Sequence, residues 1–112
     1  MKITKMIIEE IGKEVESKGA NFAVIILPVK PEISDYRTNV AHYKKLWDTM
    51  SSFICSVKFP CYDLMEDFQK VPYDTIDYSD GYHYGPKANK YIAEFILNRA
   101  IKNMGQSEAS DN

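Results

Sequence analysis

Phe22-Ala23-Val24-Ile25-Ile26-Leu27 runs without a polar residue until Pro28 closes it, and its centre is β-branched, as strands favour. A strand with one solvated face alternates polar and apolar side chains, because successive residues point to opposite faces. This run does not alternate, so it predicts a strand covered on both faces, as in a parallel sheet. Just upstream, Ile3, Ile7, Ile11 and Val15 recur every four residues, with Met6 and Ile8 beside them. Glu9, Glu10, Lys13, Glu14 and Glu16 occupy the other side. That pattern predicts an amphipathic helix over residues 3–18, with Gly19 placed to end it. A helix followed at once by a buried strand is the αβ half of a βαβ unit, which assigns the chain to the α/β class.

Downstream, Pro28, Pro31, Ser34 and Asp35 make residues 28–35 read as a loop ending in a helix cap. From Tyr36 the pattern is helical to residue 54. Val40, Tyr43, Trp47, Met50 and Ile54 form the inner stripe, with Lys44, Lys45 and Asp48 opposite. Trp47 is thereby expected in the core, and His42 on a solvated face. Residues 59–64 are a second strand, which Pro60 keeps short or at a sheet edge. The last helix spans residues 86–101. Pro86 suits its first turn, while Ala88, Ile92, Phe95, Ile96 and Arg99 or Ala100 mark its inner side. Residues 65–85 between them carry few apolar anchors and read as a long loop. Such loops are functional or disordered, and the tyrosines and single histidine here favour function.

The expected organisation is one domain over residues 1–104 in the order α-β-α-β-loop-α, followed by a disordered polar tail at 105–112. Two strands leave two open sheet edges, so the missing neighbours are expected from another chain or from a homodimer joined at an edge. The 112 residues are 45% hydrophobic and 27% charged, the balance of an ordered globular domain. A formal charge of -2 gives no electrostatic case for nucleic acid or an anionic membrane. Lys5, Glu9 and Glu10 interrupt any signal-peptide core, so with Met1 as the native start the chain is expected in the cytoplasm. Cys55 and Cys61 are too few for a disulfide scaffold and read as reduced, partly buried thiols.

The chemistry concentrates in Asp80-Gly81-Tyr82-His83-Tyr84-Gly85-Pro86. An aspartate three residues before a histidine can fold back in a turn and accept the imidazole Nδ1–H. That bond sets the tautomer, makes Nε2 the general base and stabilises the imidazolium once formed. Asp67, Asp74, Asp77, Asp80 and His83 match no standard metal spacing and read instead as solvated turn carboxylates, so neither metal nor cofactor is expected.

The Asp80-x-x-His83 run, followed by a proline-initiated helix with Ala88, Ile92 and Ala93, resembles the last block of SGNH/GDSL hydrolases. The order of residues 22–28, 36–54 and 59–64 is similar to that family's late strand, helix and strand. Pro28-Val29 and Met65-Glu66-Asp67 are also similar to a bacterial branch acting on cell-envelope polymers. The likeness covers about residues 3–102, and its distinctive part is the Asp–His block. It implies a partial flavodoxin-like, three-layer fold with a small parallel sheet. It also implies that His83 is the general base and Asp80 its orienting carboxylate. The chain departs from the family elsewhere. It has no GDS-type nucleophile segment and no oxyanion-hole glycine or asparagine block, Ser79 falls inside the last block, and Asn89 stands where many members have glycine.

The resemblance thus implies the C-terminal portion of an esterase or O-acyltransferase, inactive alone. An upstream polypeptide would carry the serine block, with an acylated carbohydrate or small ester as substrate. The rival reading is a non-enzymatic, dimeric α/β interaction module whose binding loop carries Tyr73, Tyr78, Tyr82 and Tyr84.

Overall fold

The computed structural model describes residues 2–80 and 83–102. The expectations for the tail and for Tyr82 lie outside them. Strands β1 (Val24–Ile26) and β2 (Cys61–Asp63) run parallel, pairing Val24 with Cys61, Ile25 with Tyr62 and Ile26 with Asp63. Each is shorter than the segment expected to form it. Proline has no N–H to donate, so Pro28 and Pro60 limit the ladder, and Phe22 instead sets its ring edge-on to Phe59 at 5.1 Å. The Val24 N–H donates to the Pro60 carbonyl at 2.8 Å and the Leu64 N–H to that of Ile26 at 3.0 Å. The expected double cover of β1 is only partial, since its three residues are half-buried and Leu27 is exposed.

Helix α1 (Lys2–Ser17) forms as its periodicity demands, and Gly19 follows it at φ +81°, the left-handed region open to glycine. It sits lightly on the rest of the chain. Gly12 is its buried residue, and a Cβ there would run into the Phe59 ring. Lys5 lies over the Phe53 ring, 5.5 Å from its centroid.

The loop expected at 28–35 and the single helix expected at 36–54 are corrected. The chain forms α2 (Lys30–Thr38), then a 3₁₀ turn at Val40–His42, then α3 (Tyr43–Ile54). Pro31 stands in the first turn of α2, where its missing N–H costs nothing. Glu32 accepts the Val29 N–H at 2.9 Å, tying down the entry. The break comes from Asn39, Ala41 and His42, all left-handed at φ 49° to 59°. Asn39 Oδ1 accepts the Lys44 N–H at 3.0 Å and so starts α3. This break turns Val40 out of the expected inner stripe into solvent. Trp47 is in the core as expected, and its indole N–H donates to Asp63 at 2.8 Å.

The cysteines are also corrected, because Cys55 and Cys61 form a disulfide. Cys55 caps the end of α3, and the turn after it returns the chain to β2 with the two Cα atoms 5.2 Å apart, within reach of a bridge.

The expected loop over residues 65–85 is structured at residues 65–80 and 83–85. It contains α4 (Met65–Phe68), a 3₁₀ turn at Tyr73–Thr75, and an antiparallel hairpin of β3 (Tyr78–Asp80) and β4 (His83–Tyr84). It also supplies much of the core. Leu64, Met65, Phe68 and Ile76 are almost wholly buried, packed with Ile33, Trp47 and Ala88. Arg37 fastens the segment by donating to the carbonyls of Phe68, at the end of a short helix, and of Val71 three residues beyond it. Helix α5 (Pro86–Ile96) runs into a π-helical turn at Leu97–Ile101, and Ala88 and Ala100 face inward as expected. The protein is therefore mixed α/β and mainly helical, with a small parallel sheet. Among the described residues, no helix is long and apolar enough to cross a membrane.

Candidate functional site

The hairpin that carries Asp80 and His83 is anchored on both sides before it reaches solvent. On the inner side, the Tyr84 ring stacks on Phe68 with centroids 5.7 Å apart. Its hydroxyl donates to the Pro28 carbonyl, at the exit of β1. Burial pushes the Tyr84 phenol pKa well up, and nearby Tyr78 and Glu32 push it further, so it stays a neutral donor. On the other side, Asp77 caps α5. Its carboxylate accepts the Ala88 N–H at 2.7 Å and the Lys87 N–H at 3.2 Å, while its carbonyl accepts the Gly85 N–H at 2.9 Å. Gly85 is required by this closeness, because a Cβ there would lie 2.5 Å from Asp77 Oδ2. Desolvation raises the Asp77 carboxyl pKa, but the two N–H bonds outweigh it and the net shift is downward.

These anchors hold the hairpin beside the C-terminal exit of β1, where open parallel sheets place their ligand sites. There Asp80 Oδ1 lies 2.5 Å from His83 Nδ1 and also accepts the His83 backbone N–H at 3.4 Å. One carboxylate oxygen thus holds both the backbone and the ring of the residue three positions on, the fold-back expected from the spacing. With Nδ1 bound to the carboxylate, Nε2 is the nitrogen suited to exchange a proton with a substrate or nucleophile. The side chains are 68% exposed for Asp80 and 79% for His83. In an assembled triad the carboxylate is buried, and low dielectric strengthens its hold on the imidazolium. The pair here has the geometry of that arrangement without its cover.

The other residues singled out from sequence have different roles. Asp67 meets Arg99 at 2.5 Å, and Arg99 also donates to the Asp63 carbonyl at 2.9 Å, so this carboxylate locks α5's extension to α4. Asp74 is exposed on the 3₁₀ turn, and Asp77 is the cap described above. Among the described residues no group of three or more His, Cys, Asp or Glu gathers where a metal could sit. His42 is exposed at the start of α3. Of the loop tyrosines, Tyr84 packs inward, whereas Tyr73 and Tyr78 flank Lys30, whose Nζ lies 4.6 Å and 5.5 Å from their ring centroids. Asn89 Nδ2 reaches the Tyr84 carbonyl at 3.4 Å. Sequence reasoning missed Asp77, Gly85 and Tyr84 as the residues that position the pair. The signal for the first two was an aspartate upstream of a Gly-Pro helix start, which can be read as a cap only once the intervening hairpin is known.

Two larger hollows lie away from this pair. One, of about 650 Å³, is lined by Asn39, His42, Lys44, Asp48 and their neighbours; the other, of about 440 Å³, lies between Glu66, Asp67, Phe95 and Arg99. Comparison with family models, curated proteins and solved structures finds no match for the chain.

Proposed function

We propose that this chain is the C-terminal portion of an SGNH/GDSL-like esterase or O-acyltransferase, in which His83 serves as general base and Asp80 orients it. The observation that carries the reading is the 2.5 Å approach of Asp80 Oδ1 to His83 Nδ1 at the head of the last helix. The parallel order of β1 and β2 and the hairpin's seat at the exit of β1 support it. In the complete site a serine would lose its proton to His83 Nε2 while attacking the ester carbonyl, and His83 would return that proton to the leaving alkoxide. The chain contains no GDS-type segment, so on this reading the serine and the oxyanion donors come from another polypeptide segment. That segment would also desolvate the exposed pair. The substrate class is an ester-linked acyl group, on a carbohydrate or a small alcohol. The Cys55–Cys61 bridge supports an oxidising compartment, against the cytoplasmic expectation, since disulfides are rare where thiol buffers are reducing.

The test has two arms. The purified chain should hydrolyse p-nitrophenyl acetate no faster than its His83→Ala variant. Co-expressed with the reading frame that precedes it at its native locus, it should join a complex that reacts with a fluorophosphonate probe. In that complex His83→Ala and Asp80→Asn should each cost on the order of 10³–10⁴-fold in turnover. A complex that keeps its turnover without His83 would sink the proposal, and so would a chain that is active alone. The rival interaction module is favoured by a different observation, the apolar face of α1.

A further inference from the structure

Where the extension of α5 passes α4, the buried Asp67 carboxylate holds Arg99 in place. Arg99 Nη1 donates both to Asp67 at 2.5 Å and to the Asp63 carbonyl at 2.9 Å, and the guanidinium lies 5.8 Å from the Tyr62 ring centroid. A guanidinium pairs most strongly with a carboxylate through two parallel N–H bonds, because its planar fork matches the two oxygens. Here a single nitrogen makes both contacts. Nε and Nη2 have no hydrogen-bond partner among the described residues, and Arg99 lines a hollow of about 440 Å³.

The rest of that hollow suits a small ligand with an apolar body. Phe95 supplies an apolar wall and is fixed from behind, perpendicular to Phe68 at 5.1 Å between centroids and stacked on Tyr91 at 6.2 Å. Asn98 brings an amide donor, and Glu66 and Lys70 are exposed members of the lining. Asn98 and Arg99 belong to the π-helical turn Leu97–Ile101, closed by the Lys102 N–H on the Leu97 carbonyl. Such turns are rare and occur frequently at functional sites. The volume is within the range of small-molecule sites.

We infer that this hollow binds a small organic monocarboxylate, its carboxylate on the Nε and Nη2 donors of Arg99 and its apolar body against Phe95. Charge selects the class. Arg99 and Lys70 are offset by Asp67 and Glu66, so the lining is neutral as a whole. A phosphate dianion would face two carboxylates with no cation to spare. A single carboxylate matches the planar fork and adds one charge only. Asp67 also fixes the guanidinium in advance, so little side-chain freedom is lost on binding. None of the lining residues belongs to the Asp80–His83 hairpin, so binding here is read independently of any catalysis there.

Benzoate is the probe, with benzamide as its uncharged counterpart. In a titration of the full chain followed by NMR of the amides and the arginine Nε–H groups, benzoate should bind saturably with a Kd on the order of 1 mM. The Arg99 Nε–H signal and the Phe95 and Asn98 amides should move together, and benzamide should bind at least about tenfold more weakly. Asn98 is exposed, so Asn98→Asp should leave the fold intact while setting a like charge beside the ligand and weakening benzoate about tenfold. Arg99→Lys keeps a cation beside Asp67 but loses the fork, and should weaken benzoate by a similar factor. That variant also alters the brace between α4 and α5, so Asn98→Asp decides the matter if Arg99→Lys fails to fold. No saturable movement up to about 50 mM benzoate would overturn the inference. So would equal binding of benzamide, preference for inorganic phosphate, or a benzoate affinity unchanged in Asn98→Asp.

Discussion

Reducing the Cys55–Cys61 bridge should lower stability by an amount that its loop length sets. The two residues are six apart, and chain-entropy bookkeeping for so short a loop gives about 2 kcal/mol. That corresponds to a urea midpoint lower by about 1 M, or a thermal midpoint lower by about 10 °C. The local consequence is sharper. The bridge holds the start of β2 to the end of α3, and the Val24 N–H bonds to the carbonyl of Pro60, next to Cys61. If β2 is released locally, exchange of that amide should quicken by about 30-fold, the equivalent of 2 kcal/mol. The assay is urea unfolding and hydrogen exchange of the full chain with and without a phosphine reductant, beside a Cys55→Ala, Cys61→Ala double variant. Reduced protein and double variant should coincide. Two thiols titrating in the native, unreduced protein would refute the bridge. An unchanged midpoint after complete reduction would refute the reasoning that it constrains the unfolded chain.

Two further outcomes follow from the core and the cap. Phe68→Ala should cost about 4 kcal/mol in urea unfolding, because the ring is fully buried between Tyr84 and Phe95 at 5.7 Å and 5.1 Å; a loss under about 1 kcal/mol would mean that the hairpin is seated some other way. Asp77 has a folded pKa below its ordinary 3.8, so its contribution is present above that value and is lost as pH falls through the lower folded value. The stability gap between wild type and Asp77→Asn should therefore narrow below pH 3.8, and a gap that stays constant through acid would show that the charged cap contributes nothing.

Short spacings make part of this protein legible in its amino-acid order. The four-residue recurrence from Ile3 to Val15 requires a helix, the apolar run ending at Pro28 requires a strand, and Pro86 after Gly85 marks a helix start. Asp80-x-x-His83 likewise carries its own turn, because the carboxylate reaches a ring only three residues away. In each case the deciding interaction lies within one helical turn or one strand, and so within the window that a pattern can sample.

The corrected elements share the opposite property. Val40 has the spacing of a core position, but the positive φ of Asn39, Ala41 and His42 rotates it outward. Residues 65–85 read as a loop because part of what orders them is distant, with Arg37 reaching Phe68 and Val71 from 31 and 34 residues away. The Asp–His hairpin is seated by Tyr84 on Pro28 across 56 residues, and the end of α5 by Arg99 on Asp67 across 32. Which face of α1 the body covers is equally open in the sequence, since Ile3, Ile7 and Ile11 on one face and Ile8 and Val15 on another are all apolar and only the placement of Gly12 on Phe59 chooses between them. Local sterics and periodicity are written into neighbouring residues, whereas long-range partners compete for each polar group until chain closure selects one of them. That selection, made by the tertiary structure, buried Phe68, joined Cys55 to Cys61 and turned Ile3, Ile7 and Ile11 toward solvent.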